Sequence, residues 1–234
     1  YNPITKLNFH SPFSVRPFST YINYQLDNNQ YNYINEYLKN KNSSLIPEKV
    51  TIDNNNKEYY LSINIYNCSV PIIPSDDDVT RCEINTYVRD SKEGIGTLIM
   101  DYTSNALSMD PVNIFKGKED VTFSNNNNII TGLCSSKNID LDLSFTHNMN
   151  DKDFDISDHL VDYSDKIFYS NSIFDKLYYD TSLTRAKIKT PKIVNNIKFR
   201  FGDLNFDTPS SIFYFQDDLN FAGSIWHNLY SIDE

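Results

Sequence analysis

The sequence predicts a mainly β protein with one or two helices, folded as an antiparallel β-barrel or sandwich in a single domain over residues 1–234. Most of the chain alternates apolar and polar residues, which is typical of antiparallel strands with one buried face. Asn, Asp and Gly separate the alternating segments at short intervals, which favours a barrel or sandwich over βαβ units. A single all-β domain of this length is large enough to bury a sizeable core.

Several segments carry a clear strand pattern. Residues 139–145 read IDLDLSF, in which apolar residues alternate with aspartate and serine. The same period of two occurs in residues 60–65 and 197–201, and we predict further strands over residues 212–215 and 221–229. Each segment is therefore expected to place its apolar residues on one face of a sheet.

One helix is predicted early in the chain, over residues 29–39, where Ile34, Tyr37 and Leu38 recur at helical spacing. A second helix is predicted over residues 165–177, whose apolar residues are loosely helical. The acidic segment 148–158, NMNDKDFDISD, is predicted to be a solvated loop. It lacks the glycine and the final glutamate of a calcium-binding EF-hand loop.

The charge of the chain argues against a nucleic-acid partner. The formal net charge is -10 and the basic residues are scattered, whereas binding to a phosphate backbone needs a basic surface. No apolar run approaches the ~20 residues of a membrane-spanning helix, so no membrane partner is expected. The chain begins with Tyr1 rather than Met, which leaves processing open, and no secretory signal is visible.

The cysteines and histidines give no sign of a metal centre. Cys68, Cys82 and Cys134 are far apart and lack metal-ligand spacing, so we expect small buried side chains in a reducing, cytoplasmic environment. The GxSxG, GxGxxG, HExxH and P-loop motifs are all absent from the sequence. No cofactor and no bound metal are therefore predicted.

Residues 81–121 hold the first candidates for chemistry. Glu83 lies on a predicted strand, and Lys116 and Lys118 flank a glycine directly after an apolar pair. A lysine at an apolar boundary can become an amine nucleophile if burial or a nearby cation lowers its pKa. The other interpretation is that both lysines are solvated charges in a hairpin, as surface lysines usually are.

Six segments follow one another in an order that a known family shares. They are PFSVRPFSTYINYQL, the helical NNQYNYINEYLKN with SSLIPEKVTID after it, EYYLSINIYNC, CEINTYVRD with GIGTLIMDY, the lysine turn NIFKGKEDVTF, and the hairpin ITGLCSSKNIDLDLSF. In order and spacing, these segments resemble the opening strand, helix, turn, glutamate-bearing strand and lysine turn of the acetoacetate decarboxylase-like superfamily. The resemblance covers roughly residues 12–145 and identifies the chain as similar to a divergent member.

The resemblance implies an antiparallel β-barrel, described as a double-layered cone, around a small-molecule cavity. In the family's decarboxylase, a cavity lysine forms a Schiff base with a keto acid, and the iminium accepts electrons as CO2 leaves. Arg16 matches the arginine that would bind the substrate carboxylate, and Glu83 matches a glutamate that would orient substrate or move protons. Lys118 matches the nucleophile after a one-residue gap, with Lys116 as the second choice. A homo-oligomer is also implied.

Other interpretations stay open, because the family's proline before the lysines is missing here. The chain could be a barrel that binds a small molecule without catalysis, or an enzyme of this fold that lacks the covalent lysine. It could also be a secreted or structural barrel, which glycans on Asn42 or Asn67 would indicate. Tyr87, Tyr102 and Trp226 are candidate aromatic residues of the cavity wall. The expected partner is a keto acid or another small organic molecule.

Overall fold

The structure is a computed structural model that describes residues 13–40, 44–52, 56–69, 78–90, 94–106, 116–154, 167–169, 176–181 and 188–226. These residues form one helix, α1 (Asn28–Asn40), and two sheets. In chain order the strands are β1 (Phe13–Val15), β2 (Thr20–Gln25), β3 (Ile46–Pro47), β4 (Tyr60–Ser69), β5 (Val79–Asp90), β6 (Gly94–Ser104), β7 (Asp120–Asn126), β8 (Ile129–Ser135), β9 (Ile139–Thr146), β10 (Lys152–Phe154), β11 (Ile167–Tyr169), β12 (Lys176–Thr181), β13 (Ile188–Thr190), β14 (Ile193–Phe201), β15 (Leu204–Phe206), β16 (Ser211–Phe215) and β17 (Leu219–Trp226).

The large sheet contains 12 strands in the order β10-β13-β16-β2-β4-β1-β17-β12-β11-β6-β5-β3, and β4 also pairs with β5. Because of that extra pairing, the hydrogen-bonded neighbours run in a ring through β4, β1, β17, β12, β11, β6 and β5. The strands β2, β16, β13 and β10 extend outward from β4. All of these pairs are antiparallel except the pair of β6 and β11, which is parallel.

The small sheet contains five strands in the order β15-β14-β9-β8-β7, all antiparallel. The hairpin between β7 and β8 turns at Asn127 and Asn128, whose φ angles are 52° and 67°. A two-residue hairpin turn needs positive φ at both central positions, and asparagine tolerates that conformation better than most residues. The asparagine-rich segment therefore sets the register of these strands.

The two sheets pack face to face through their apolar residues. In β9, Ile139, Leu141, Leu143 and Phe145 are buried and alternate with half-buried polar residues. They share one apolar core with residues of β2, β4, β5 and β6. A ring of about this size is filled by its own side chains or holds one small ligand, and the small sheet covers its outside. The opposite side of β2, β4, β5 and β6, turned away from the small sheet, is called the inner face below.

Helix α1 begins with a reciprocal pair of hydrogen bonds. The backbone N–H of Gln30 donates to Oδ1 of Asp27 at 2.8 Å, and the N–H of Asp27 donates to Oε1 of Gln30 at 2.9 Å. Such a capping box satisfies two amide groups that the first turn of a helix leaves without partners. Ile34 and Leu38 then bury one helical face against the core shared by the two sheets.

Replacing Asp27 by alanine is expected to lower the free energy of unfolding by about 1 kcal/mol, because the N-cap acceptor is lost. Urea denaturation followed by circular dichroism measures the change. The matched control is Asn29→Ala, an exposed position in the first turn of α1, where the effect should stay within about 0.5 kcal/mol. Equal effects at both positions would contradict the assignment of Asp27 as the cap.

Asp151 connects the end of the small sheet to the large sheet. Its carboxylate is buried and accepts hydrogen bonds from the Tyr214 hydroxyl at 2.9 Å and from the backbone N–H groups of Asn148 and Lys192 at 2.9 and 3.2 Å. The Tyr214 oxygen also lies 2.7 Å from Nδ1 of His147. Since the Tyr214 proton goes to Asp151, Nδ1 of His147 is the donor in that bond.

Most of the predicted elements are confirmed. Residues 60–65 lie in β4, 139–145 in β9, 197–201 in β14 and 212–215 in β16, and the helix predicted over residues 29–39 is α1. The strand predicted over residues 221–229 is β17 as far as Trp226. Residues 227–229 lie outside the described part of the chain. The mainly β fold class is therefore confirmed.

Two predictions need correction. The second helix, over residues 165–177, is wrong where the chain is described, because β11 and the start of β12 pair there as antiparallel strands. Partners distant in sequence, β6 and β17, hold this hairpin, and helical spacing of apolar residues does not reveal them. The solvated loop over residues 148–158 is also wrong in part, since Asp151 is buried and Lys152–Phe154 is β10.

The three cysteines are free and buried, as expected from their spacing. Burial raises the pKa of the Cys68 thiol to about 12, which keeps it protonated and unreactive. Among the described residues, no helix has the length and apolar character needed to cross a bilayer.

Candidate functional site

Polar side chains cross the inner face in rows fixed by strand register. Asn64 of β4 lies beside Tyr21 of β2 on one side and Glu83 of β5 on the other, and Glu83 is followed by Tyr102 of β6. Asn64, Glu83 and Tyr102 are all less than one-tenth exposed. The sequence neighbours of Asn64 and Glu83 belong to the apolar core, and successive side chains of a strand point to opposite faces. Asn64 and Glu83 therefore face away from that core, as does Tyr102, which is paired with Glu83.

Glu83 is the centre of the strongest polar cluster on this face, which we call the Glu83 cluster (Tyr66, Arg81, Glu83 and Tyr102). Nε of Arg81 donates to Oε1 of Glu83 at 2.5 Å, and the Tyr66 hydroxyl donates to the same oxygen at 2.7 Å. The Arg81 and Glu83 side chains are each 11% exposed. The guanidinium carbon of Arg81 lies 4.0 Å from the centre of the Tyr102 ring, a distance typical of cation–π contact.

The tyrosines around Glu83 are held in their protonated form. Burial, and then the negative charge of Glu83, raise the pKa of Tyr66 well above its ordinary value. The same two causes raise the pKa of Tyr21. Both phenols therefore keep their protons at neutral pH and can act as hydrogen-bond donors but not as bases.

A second row of polar groups lies next to the Glu83 row. The Ser62 hydroxyl donates to Oδ1 of Asn23 at 2.6 Å, and Nδ2 of Asn23 donates to the Ser211 hydroxyl at 3.1 Å. The Tyr87 hydroxyl lies 2.8 Å from Ser62. Because Ser62 has a single proton and gives it to Asn23, Tyr87 is the donor to Ser62. The hydrogen bonds of this row therefore all run in one direction. Tyr87 donates to Ser62, Ser62 to Asn23, and Asn23 to Ser211.

Lys116, the second choice for the nucleophile, lies beside this cluster. Its Nζ forms an ion pair with Oδ1 of Asp101, donates to the Tyr102 carbonyl at 2.9 Å and lies 4.8 Å from the centre of the Tyr102 ring. The side chain is 36% exposed. These acceptors stabilise an ammonium group, whereas a nucleophile must be a neutral amine.

Lys118, the first choice for the nucleophile, is exposed. With Leu133, Asp142 and Lys198 it lines a groove of about 900 Å³ on the outer side of the small sheet. This side is turned away from the apolar core, and the groove therefore has no part in the inner face. The structure does not bring Lys118 together with Glu83.

Arg16, the predicted carboxylate-binding residue, follows β1 and forms an ion pair elsewhere. Its Nε lies 3.0 and 3.1 Å from the two carboxylate oxygens of Asp78, and its side chain is 41% exposed. The hydrogen bond and charge of Asp78 raise the pKa of Arg16 above its usual range. The arginine beside Glu83 is therefore Arg81, while the roles of Arg16 and the lysines stay predictions.

Sequence reasoning missed Arg81, Tyr66 and Asn85 as inner-face residues. A local signal for part of this set is present in β5, where Arg81, Glu83, Asn85 and Tyr87 occupy every second position. A strand that repeats polar residues with period two places them all on one face. Of the three candidate wall residues, Tyr87 and Tyr102 are buried on the inner face, and the side chain of Trp226 lies outside the described part of the structure.

The glycan interpretation finds little support at Asn67. Its Nδ2 donates to the Phe123 carbonyl at 3.0 Å, and its Oδ1 accepts a hydrogen bond from Thr80 at 2.7 Å. A glycan on that nitrogen would break the first bond. Asn42 lies outside the described residues.

Comparison with known proteins links this architecture to one enzyme fold. No model of a known protein family matches the chain, and no curated protein matches it. The structure is similar to acetoacetate decarboxylase from Legionella pneumophila subsp. pneumophila, with a TM-score of 0.55, 12% sequence identity, and coverage of 94% of this chain and 90% of that one. A second acetoacetate decarboxylase structure gives a TM-score of 0.51 and 13% identity, covering 97% and 92% of the two chains. The chain therefore has the acetoacetate decarboxylase-like fold, as the order of its segments predicts.

Proposed function

We propose that this chain binds a small organic molecule on the inner face, at the Glu83 cluster, and that Glu83 takes or gives a proton there without a covalent lysine. The proposal rests on a difference between the two carboxylate oxygens of Glu83. Tyr66 and Arg81 both donate to Oε1, and no described residue donates to Oε2. Two donors on Oε1 fix the direction of Oε2, the oxygen that would meet the ligand.

A keto acid is the first substrate class to test. The structures with a similar fold are named for an enzyme that decarboxylates acetoacetate. Removing a proton next to a carbonyl, or returning one after CO2 leaves, needs a positioned acid or base of the kind that Glu83 offers. Fold likeness alone does not establish an activity, so the chemistry of the cluster supports this proposal more directly than the likeness.

A Schiff-base version of the proposal would use Lys116 or Lys118. Lys116 is the better placed of the two, because its Nζ contacts Tyr102, which is a member of the Glu83 cluster. Its Nζ is already engaged by Asp101 and by the Tyr102 carbonyl, whereas a Schiff base needs a free, neutral amine. Lys118 is exposed and lies on the other side of the small sheet. The non-covalent version therefore has more support.

Calorimetric titration with a panel of short keto acids tests the site. Glu83→Gln is expected to weaken binding by roughly tenfold to a hundredfold, since a hydrogen bond to a charged group contributes about 1.5–3 kcal/mol. Glu36→Gln is the matched control, because Glu36 lies on α1 with its side chain 63% exposed. An equal loss in both variants, or in neither, would reject the Glu83 cluster as the binding site.

Borohydride reduction separates the two versions. If binding is non-covalent, incubation with a keto acid followed by reduction leaves the mass of the protein unchanged. A mass adduct on Lys116 or Lys118, absent from the Lys→Gln variant of the same residue, would replace the non-covalent proposal with the Schiff-base mechanism.

A further inference from the structure

Asn85 carries a buried acceptor that the protein leaves without a donor. The residue lies on β5 and is 4% exposed, and none of the described residues donates a hydrogen bond to its Oδ1. An amide oxygen buried in this way is costly, and native proteins rarely tolerate it without a reason. The position of Asn85 suggests what that reason is.

The side chains next to Asn85 either donate their protons to other acceptors or have no proton to donate to Oδ1. Ser62 lies opposite Asn85 on β4, and its proton goes to Asn23. Tyr87, two residues along β5, donates to Ser62. On the other side, β6 places Ile99 opposite Asn85, and this side chain has no donor. A donor for Oδ1 must therefore come from something that enters the inner face.

Asn85 and Glu83 lie on the same side of β5, two positions apart. At about 3.3 Å per residue, their Cα atoms are separated by about 6–7 Å, the length of a small organic molecule. Oε2 of Glu83 and Oδ1 of Asn85 are both acceptors to which no described residue donates. One compact ligand can thus reach both atoms.

We propose that Asn85 is a specificity-determining residue that selects ligands carrying a hydroxyl or N–H group, and that hydroxylated keto acids fit the site better than plain ones. This inference rests on the proposed function of the Glu83 cluster. The discrimination comes from the unpaired acceptor, because a ligand without a donor leaves Oδ1 buried and unsatisfied. Sites built to pair a substrate hydroxyl reject analogues that lack it far more strongly than apolar pockets reject a missing methylene.

Pyruvate and hydroxypyruvate, which differ by one hydroxyl, are suitable probes for calorimetric titration. The wild-type protein is expected to bind hydroxypyruvate at least tenfold more tightly than pyruvate. Asn85→Leu, which branches at Cγ as asparagine does but has no acceptor, should bring the two affinities to within about twofold. Thermal unfolding checks that the variant folds, since leucine is larger than asparagine and can overpack the site.

The two proposals fail in different ways. If Glu83→Gln leaves both affinities unchanged, or if neither acid binds saturably to the wild type, the Glu83 site is rejected together with this inference. If Glu83→Gln weakens both acids but the wild type shows no preference for hydroxypyruvate, only the role of Asn85 is rejected. A preference for hydroxypyruvate that survives in Asn85→Leu, or in Asn85→Ala should the leucine variant not fold, also rejects only the role of Asn85.

Discussion

Asp151→Ala is expected to lower the free energy of unfolding by about 3–5 kcal/mol. The carboxylate accepts hydrogen bonds from Tyr214 and from the N–H groups of Asn148 and Lys192. Removing it leaves three donors without their acceptor, and each unsatisfied buried group costs about 1–3 kcal/mol, with less than full additivity. The site also connects the two sheets, so the loss acts on the packing between them.

Asp153→Ala is the matched control for this change, only two residues further along the chain. The Asp153 side chain is 87% exposed, although its Oδ1 lies 2.9 Å from Nζ of Lys189. The Lys189 side chain is only 9% exposed, but its Nζ keeps the carbonyl oxygens of Met149 and Asp151 as acceptors, so we expect a smaller loss of about 1–2 kcal/mol. Urea denaturation of both variants measures the difference. A loss at Asp151 no larger than that at Asp153 would contradict the structural role of the buried carboxylate.

Phe145→Ala is expected to cost about 3–5 kcal/mol of stability, the usual range for removing a fully buried aromatic side chain. Phe145 lies near the end of β9 and is 0% exposed. Its ring stacks on the ring of Tyr214 from the large sheet, with centroids 5.4 Å apart and an interplanar angle of 30°. The variant therefore opens a cavity between the sheets and removes an aromatic contact at the same time.

The neighbouring residue provides the control, because Ser144 faces the opposite side of β9 and is only half-buried. Ser144→Ala should change the free energy of unfolding by no more than about 0.5 kcal/mol. Thermal and urea unfolding of both variants gives the comparison. If Phe145→Ala costs less than about 1 kcal/mol, the side chain does not pack between the two sheets as described.

Local sequence pattern is sufficient to predict several strands and the face of each that is buried. In β9, Ile139, Leu141, Leu143 and Phe145 alternate with polar residues and are buried, so period and burial coincide. The helix α1 is predictable for the same reason, because Ile34 and Leu38 mark its buried face. In both elements the apolar residues alone decide which side is covered.

The inner face could not be predicted in the same way, because its polar side chains are buried. Asn23 and Ser62 have no exposed surface, yet polar residues at every second position are the usual pattern of a face in water. In this protein the ring of strands encloses these polar side chains, so they are buried instead. The ring itself depends on pairings between segments that are far apart in the sequence. The pairing of β1 with β17, for example, joins the two ends of the described chain.

The Glu83 cluster shows which contacts a local sequence pattern can predict and which it cannot. Arg81 and Glu83 are two residues apart on one strand, so their common side follows from strand geometry alone. Tyr66 joins them only through the register of β4 against β5, which no local feature of the sequence fixes. Matching by order of segments located Glu83 correctly on a buried strand but gave no information on which lysine or arginine lies near it.

The alternation along β4 and β5 also gives the two faces of these strands different roles. Ile63 and Ile84 hold the layers together, while their neighbours Ser62, Asn64 and Glu83 only line the interior. If the inner face binds a ligand as proposed, substitutions there should change ligand preference. This division of roles leaves the contact between the two sheets in place when an interior side chain is changed. It also makes the interior of this chain a natural target for redesigning selectivity without rebuilding the scaffold.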